Sequence, residues 1–159
     1  MKKNKVLVKT MTSEYGGIAH PIITVDDIPL DVFLHNLHPE SLYLGLVPTI
    51  IDWIDIPKER GLVKSRFKSI KHTEILPILM CPDDCDLWCT VIVAEVINKE
   101  NHVIWSRIGV DSSNREELIE TYECIGRRVD WLNKVPSMTF SKKEYYRELD
   151  KIYNAIEGK

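Results

Sequence analysis

Residues 88–110 constrain the fold more than any other stretch. Trp88 to Ile97 reads Trp-Cys-Thr-Val-Ile-Val-Ala-Glu-Val-Ile, and Val103 to Val110 reads Val-Ile-Trp-Ser-Arg-Ile-Gly-Val. Both runs are rich in the β-branched and aromatic residues that fit a pleated surface. Asn98 to His102 between them is polar and short, the connection of an antiparallel hairpin. The first run is apolar at almost every position instead of every second one, so both of its faces must be covered. A chain holding such a strand has to build a sheet around it and layers over that sheet.

The flanking segments supply those layers. Lys5 to Thr10 has the composition of a short strand, Gly16-Gly17 marks a turn, and Pro21 to Val25 is a second strand. Asp27 is placed as a helix N-cap, with Pro29 in the first turn and Leu30, Phe33, Leu34 and Leu37 forming one apolar stripe. Thr49 to Ile54 and Pro57 to Phe67 both suit helix, the second with Asp55 as cap and Pro57 in its first turn. Glu74 to Met80 is apolar but holds Pro77, which cannot donate to a ladder, so an edge strand or an extended segment is expected. Cys81-Pro82-Asp83-Asp84 is a turn, and Arg115 to Glu123 is a helical turn or an exposed acidic loop. Ser141-Lys142-Lys143-Glu144 is a capping box opening a C-terminal helix with Tyr145, Leu149, Ile152, Tyr153 and Ile156 on its inner side.

Separated helices and an antiparallel strand pair give an α+β fold: an antiparallel or mixed sheet with a central hairpin, packed by amphipathic helices. With no repeat, linker or low-complexity tract, residues 1–159 are expected to form a single domain. A chain of this length buries about 68–70% of its unfolded surface and needs no metal or disulfide for ordinary stability. Its 44% hydrophobic and 28% charged residues exclude a disordered or disulfide-packed chain. Only Val6-Leu7-Val8 follows the basic N-terminus, too short a run for an export signal. Ser41 to Ile51, the longest uncharged apolar stretch, has 11 residues where a membrane span needs about 20. The expected compartment is therefore the cytoplasm, away from membranes, with Cys81, Cys85, Cys89 and Cys124 as reduced thiols.

Charge is nearly balanced, at −3, but unevenly spread. Lys58 to Lys71 holds six basic residues against Glu59 alone, and reads first as a solvated helix face with an anion site second. Two acidic knots stand against it: Asp83, Asp84 and Asp86, and then Asp111, Glu116, Glu117, Glu120 and Glu123 with only Arg115 among them. Nucleic-acid binders draw most of their affinity from neutralised phosphates, which an acidic remainder repels, so no nucleic-acid partner is expected. The same carboxylates would steer a basic protein toward this chain.

No catalytic frame is present: there is no G-x-S-x-G, H-E-x-x-H, P-loop or G-x-G-x-x-G, and no catalytic residue is assigned. Cys81, Cys85 and Cys89 are spaced C-x3-C-x3-C, unlike the paired spacing of zinc sites, and read as small packing thiols. Asp31, His35 and His38 share the polar face of the first helix and read as solvated residues. No metal and no cofactor is expected. A Cys–His pair assembled by the fold leaves open the alternative of a small cysteine- or metal-dependent enzyme.

Three stretches carry a resemblance: the run from Pro77 to Val96 containing Cys-Pro-Asp-Asp-Cys-Asp-Leu-Trp-Cys, the return strand Val103 to Asp111, and Val129 to Tyr146. Together they resemble the small cytoplasmic immunity proteins encoded in Bacillus-type bacteria beside polymorphic or contact-dependent toxins, over roughly the last half of the chain. The resemblance implies a non-enzymatic protein that binds one cognate toxin domain and blocks its active site. Such toxins are often nucleases, whose basic surface suits an acidic partner. No residue roles carry over from that diverse family. The charge pattern itself nominates Asp83, Asp84, Asp86, Glu116, Glu117, Glu120 and Glu123 as partner-binding residues, with Trp88 as a candidate anchor.

Overall fold

The computed structural model describes residues 3–12, 19–83, 85–113, 116 and 121–153. The Gly16-Gly17 turn, Asp84, Glu117, Glu120 and Ile156 lie outside them. In chain order the elements are β1 (Val6–Thr12), β2 (Ala19–Val25), β3 (Ile28–Pro29), α1 (Leu30–Leu37), β4 (Val47–Pro48), α2 (Pro57–Phe67), β5 (Thr73–Met80), β6 (Val91–Asn98), β7 (His102–Asp111), β8 (Val129–Trp131), β9 (Met138–Ser141) and α3 (Lys142–Tyr153). The fold is α+β, with two antiparallel sheets. One sheet is β1-β2-β3, and the other runs β4-β5-β6-β7-β8 with β9 also paired to β7. Among the described residues no helix is long and apolar enough to cross a membrane.

The two-faced apolar run behaves as its composition requires. Val91, Ile92, Val93 and Ala94 are all buried, and β6 lies between β5 and β7. Beneath the sheet, Trp105, Phe140 and Tyr145 form an aromatic centre, with the Trp105 indole donating to the Tyr145 hydroxyl at 3.1 Å. Burial of these three large side chains supplies a substantial share of the apolar area removed from water.

Pro77 does not confine β5 to the edge. β6 pairs with it along its length, and β4 covers its other side at Leu79 and Met80. The ladder shifts register between Pro77 and Leu79, and the Thr49 hydroxyl and amide donate to the carbonyls of Pro77 (2.8 Å) and Ile78 (3.2 Å). The bulge accommodates the missing amide, and Thr49 satisfies the carbonyls that β4 does not reach.

The expected caps are also corrected. Asp26 and Asp27 have φ of 51° and 69° and form the two-residue loop between β2 and β3, with Val25 opposite Ile28. Positive φ at both central positions defines a primed hairpin turn, so Asp27 caps nothing and α1 follows Pro29 directly. Ile56, not Asp55, occupies the N-cap position of α2, while Pro57 stands in its first turn as expected. Thr49 to Ile54 contributes only a 3-10 turn at Ile51–Trp53. The capping box is half made: Ser141 accepts the Glu144 amide at 3.4 Å, but Glu144 turns toward β1.

That turn of Glu144 seals a sheet edge. The outer amides of β1 would otherwise face open water, and unpaired edge amides invite pairing with other chains. Glu144 accepts the Val6 amide at 3.3 Å and Glu148 the Val8 amide at 3.0 Å, one helical turn apart on α3. Burial alone would raise the Glu148 carboxyl; the Val8 amide, Lys151 and Arg147 outweigh it and hold the group below the usual range. A depressed carboxyl stabilises the fold above its unfolded pKa and loses that contribution as pH falls through the folded one. Glu148→Ala should therefore cost about 1–3 kcal/mol near neutral pH, with the gap to wild type narrowing in acid. Urea denaturation at pH 7 and pH 3 reads both values; an equal gap at the two would contradict a charged Glu148.

Candidate functional site

The first acidic knot sits in the loop that joins β5 to β6. The ladder ends at Met80 opposite Val91, and residues 81–90 leave it as a turn closed by the Cys85 amide on the Cys81 carbonyl at 3.0 Å. Cys85 takes a positive φ of 49°, which reverses the chain and returns it toward the core. Asp86 then accepts the Trp88 amide at 3.0 Å, and Leu87 plugs inward, 1% exposed.

A carboxyl from α2 holds this loop. Glu59 is fully buried and accepts the Leu87 amide through Oε1 at 2.9 Å, while its Oε2 has no hydrogen-bond partner. Burial first, and the nearby Asp86 charge more weakly, raise the Glu59 carboxyl above its usual range against the opposing pull of Tyr122, the Leu87 amide and Trp88. The Tyr122 hydroxyl stands beside it, pushed up to about 12 by burial and then by the Glu59 carboxyl. That hydroxyl accepts the Trp88 indole N–H at 2.7 Å. The loop after β5 is thereby joined to the 3-10 turn Tyr122–Cys124, which holds Glu123, the last carboxylate of the second acidic segment.

Arg66 fixes the other side of that turn. Its guanidinium is buried and donates to the carbonyls of Ile75 (3.0 Å), Ile125 (2.6 Å) and Glu123 (3.2 Å). The chain then reverses at Gly126, whose φ is 95° and whose added Cβ would stand 2.7 Å from Ile75. Only glycine fits there without strain.

The nominated residues divide by environment. Asp83 and Glu116 are exposed, and the Glu123 side chain is 68% exposed with an oxygen 3.7 Å from Arg66. Asp86 is half-buried and engaged with its own loop. Trp88 is half-buried, packed against the core and bonded through its indole, so it is a structural strut as much as a surface anchor. Asp84, Glu117 and Glu120 fall outside the described residues. The structure thus joins the first acidic loop to the turn that holds Glu123, at Trp88–Tyr122, and adds Glu59, Tyr122 and Arg66, which sequence reasoning missed.

The other candidate chemistry separates. Cys81 and Cys85 are half-buried, Cys89 is exposed and Cys124 is buried, and among the described residues no three His, Cys, Asp or Glu side chains could hold a metal ion. Asp31 is not on a solvated face: it is 5% exposed and accepts the Gly45 amide at 2.9 Å. His35 Nδ1 and His38 Nε2 are buried without hydrogen-bond partners. The basic segment is also mixed, with Lys58, Lys68 and Lys71 exposed, Arg66 buried, and Arg60 donating twice to the Ile54 carbonyl at 3.0 and 2.6 Å. No family model matches the chain, and no curated protein and no solved structure matches it.

The raised Glu59 carboxyl has a pH signature. A carboxyl held neutral by the fold favours folding below its unfolded pKa, and that contribution is lost as pH rises through the folded pKa. Glu59→Gln keeps an acceptor for Leu87 without ionising, so its Tm should exceed that of wild type at pH 8 and converge with it near pH 4. Glu59→Ala should instead lose about 1–3 kcal/mol by stranding the Leu87 amide. Thermal melts across this range test the assignment, and a Gln-to-wild-type difference independent of pH would contradict it.

Proposed function

We propose that this chain is an immunity protein that binds a basic toxin domain through the joined acidic segments, 81–90 and 116–123, and neutralises it by covering its active site. The Trp88–Tyr122 hydrogen bond is the observation that carries the reading. It fastens the loop that carries exposed Asp83 to the turn that carries exposed Glu123, with exposed Glu116 nearby in the sequence. Clustered exposed charge on an anchored surface favours fast, oriented encounter with an oppositely charged protein. Buried Glu59 and Arg66 hold both segments from below, so little ordering entropy is left to lose on binding.

The direct test is co-expression with a basic toxin domain, sought first among the genes beside this chain's own. Restored growth together with a stable complex supports the reading, whereas continued toxicity with no complex overturns it. A second test isolates the charges. Replacing exposed Asp83 and Glu116 by Lys should leave Tm unchanged, slow association with that domain by roughly tenfold or more at low salt, and flatten its salt dependence. A thermal melt reads the first and stopped-flow association over a range of ionic strength the other two, and an unchanged rate would remove the acidic segments from the interface.

A further inference from the structure

We infer that Cys81 and Cys89 are a disulfide-forming pair that closes the acidic loop when an oxidant is present, a modification site on the face proposed above. Only the consequence for a partner rests on the functional reading; the pairing itself rests on the loop.

The ladder between β5 and β6 ends at Met80 and Val91. Cys81 follows the first directly and Cys89 precedes the second by two residues, so the thiols flank the mouth of one turn. The Cys85 amide on the Cys81 carbonyl bends the chain back, and the Leu87 and Trp88 bonds to α2 and Tyr122 hold its return limb. In this arrangement the Cys89 thiol is a close enough neighbour of Cys81 to act on its ionisation. Cys85, between them in sequence, turns its thiol to the Pro82 carbonyl at 3.3 Å.

Their environments assign the order of reaction. Cys89 is exposed, so a hydroperoxide reaches it first. Its thiolate attacks the peroxide oxygen, the O–O bond breaks, and a sulfenic acid forms with loss of hydroxide. The half-buried Cys81 thiol is held back at about 11, chiefly by burial and then by its contact with Cys89. Cys81 then attacks the Cys89 sulfur, the S–S bond forms and hydroxide leaves, taking up the Cys81 proton. In sum two thiols are oxidised by two electrons and hydrogen peroxide is reduced to two waters. A dithiol reductant reverses the step.

The test uses the full chain treated with hydrogen peroxide, then unfolded in denaturant with N-ethylmaleimide so that buried Cys124 is also reached, and mapped by mass spectrometry without reduction. The expected product is lighter by two hydrogens before alkylation, links the Cys81 and Cys89 peptides, carries maleimide on Cys85 and Cys124, and reverts with dithiothreitol. Cys89→Ser, a change at an exposed position, should abolish the link, and Cys85→Ser should preserve it. A dominant bridge through Cys85, or oxidation that stops on Cys89 alone, would overturn the pairing. The mapping needs no toxin, so its failure and a failure to bind are separate results. If both proposals hold, oxidised and reduced chain differ in association rate with the toxin domain; equal rates would confine the disulfide to the loop.

Discussion

The bond from the buried Glu59 carboxyl to the Leu87 amide is the constraint on which the candidate face depends. A carboxyl taken wholly out of water is costly unless its oxygens find donors, and only one of these does. A buried polar contact of this kind contributes little net stability, but it permits few alternatives. Leu87 can sit in one place, Trp88 beside it meets one hydroxyl, and Tyr122 brings the second acidic segment to the first. Arg66, two turns along α2, fixes the far end of that segment through the Glu123 and Ile125 carbonyls and ties it to β5 through that of Ile75. One short helix therefore sets the position of Leu87 and of the turn at Tyr122–Cys124, more than thirty residues further along the chain.

The frame beneath them is tied at both ends. α3 lies against β1, where its glutamates supply the acceptors that a neighbouring strand would have supplied. Asn4 continues the stitching: its amide donates to the Thr139 carbonyl, its side-chain oxygen accepts the Thr139 amide, and its side-chain nitrogen donates to Asp26. The two sheets are joined through backbone groups at the β9 edge as well as through apolar packing. Such long-range closure makes the loops at the opposite end of β5 and β6 passengers on a well-determined sheet.

How much of this was legible follows from what local pattern can encode. The hairpin, the α+β class and the C-terminal helix were visible because their apolar periodicity matches their burial. The Asp26-Asp27 pair was ambiguous because aspartate serves both as a helix cap and at positive φ; the choice was decided by pairing of Val25 with Ile28, a matter of register. α2 misled for a different reason. Its buried stripe is Glu59, Leu62, Val63, Arg66 and Phe67, spaced for one helix face, but two of the five are charged, so the face reads as solvated. That spacing was the available signal for Glu59 and Arg66. Nothing local announced Tyr122, whose role comes entirely from its distance to Trp88.

The central claim is that residues 81–90 and 116–123 act as one surface toward a protein partner. Amide hydrogen exchange of the chain, alone and bound to the basic toxin domain proposed as its partner, tests this most directly. The account predicts slowed exchange in both segments together, with the β1–β2 hairpin unchanged. Protection confined to other surfaces, such as the exposed lysines around Ile70, with 81–90 exchanging as in the free chain, would contradict it.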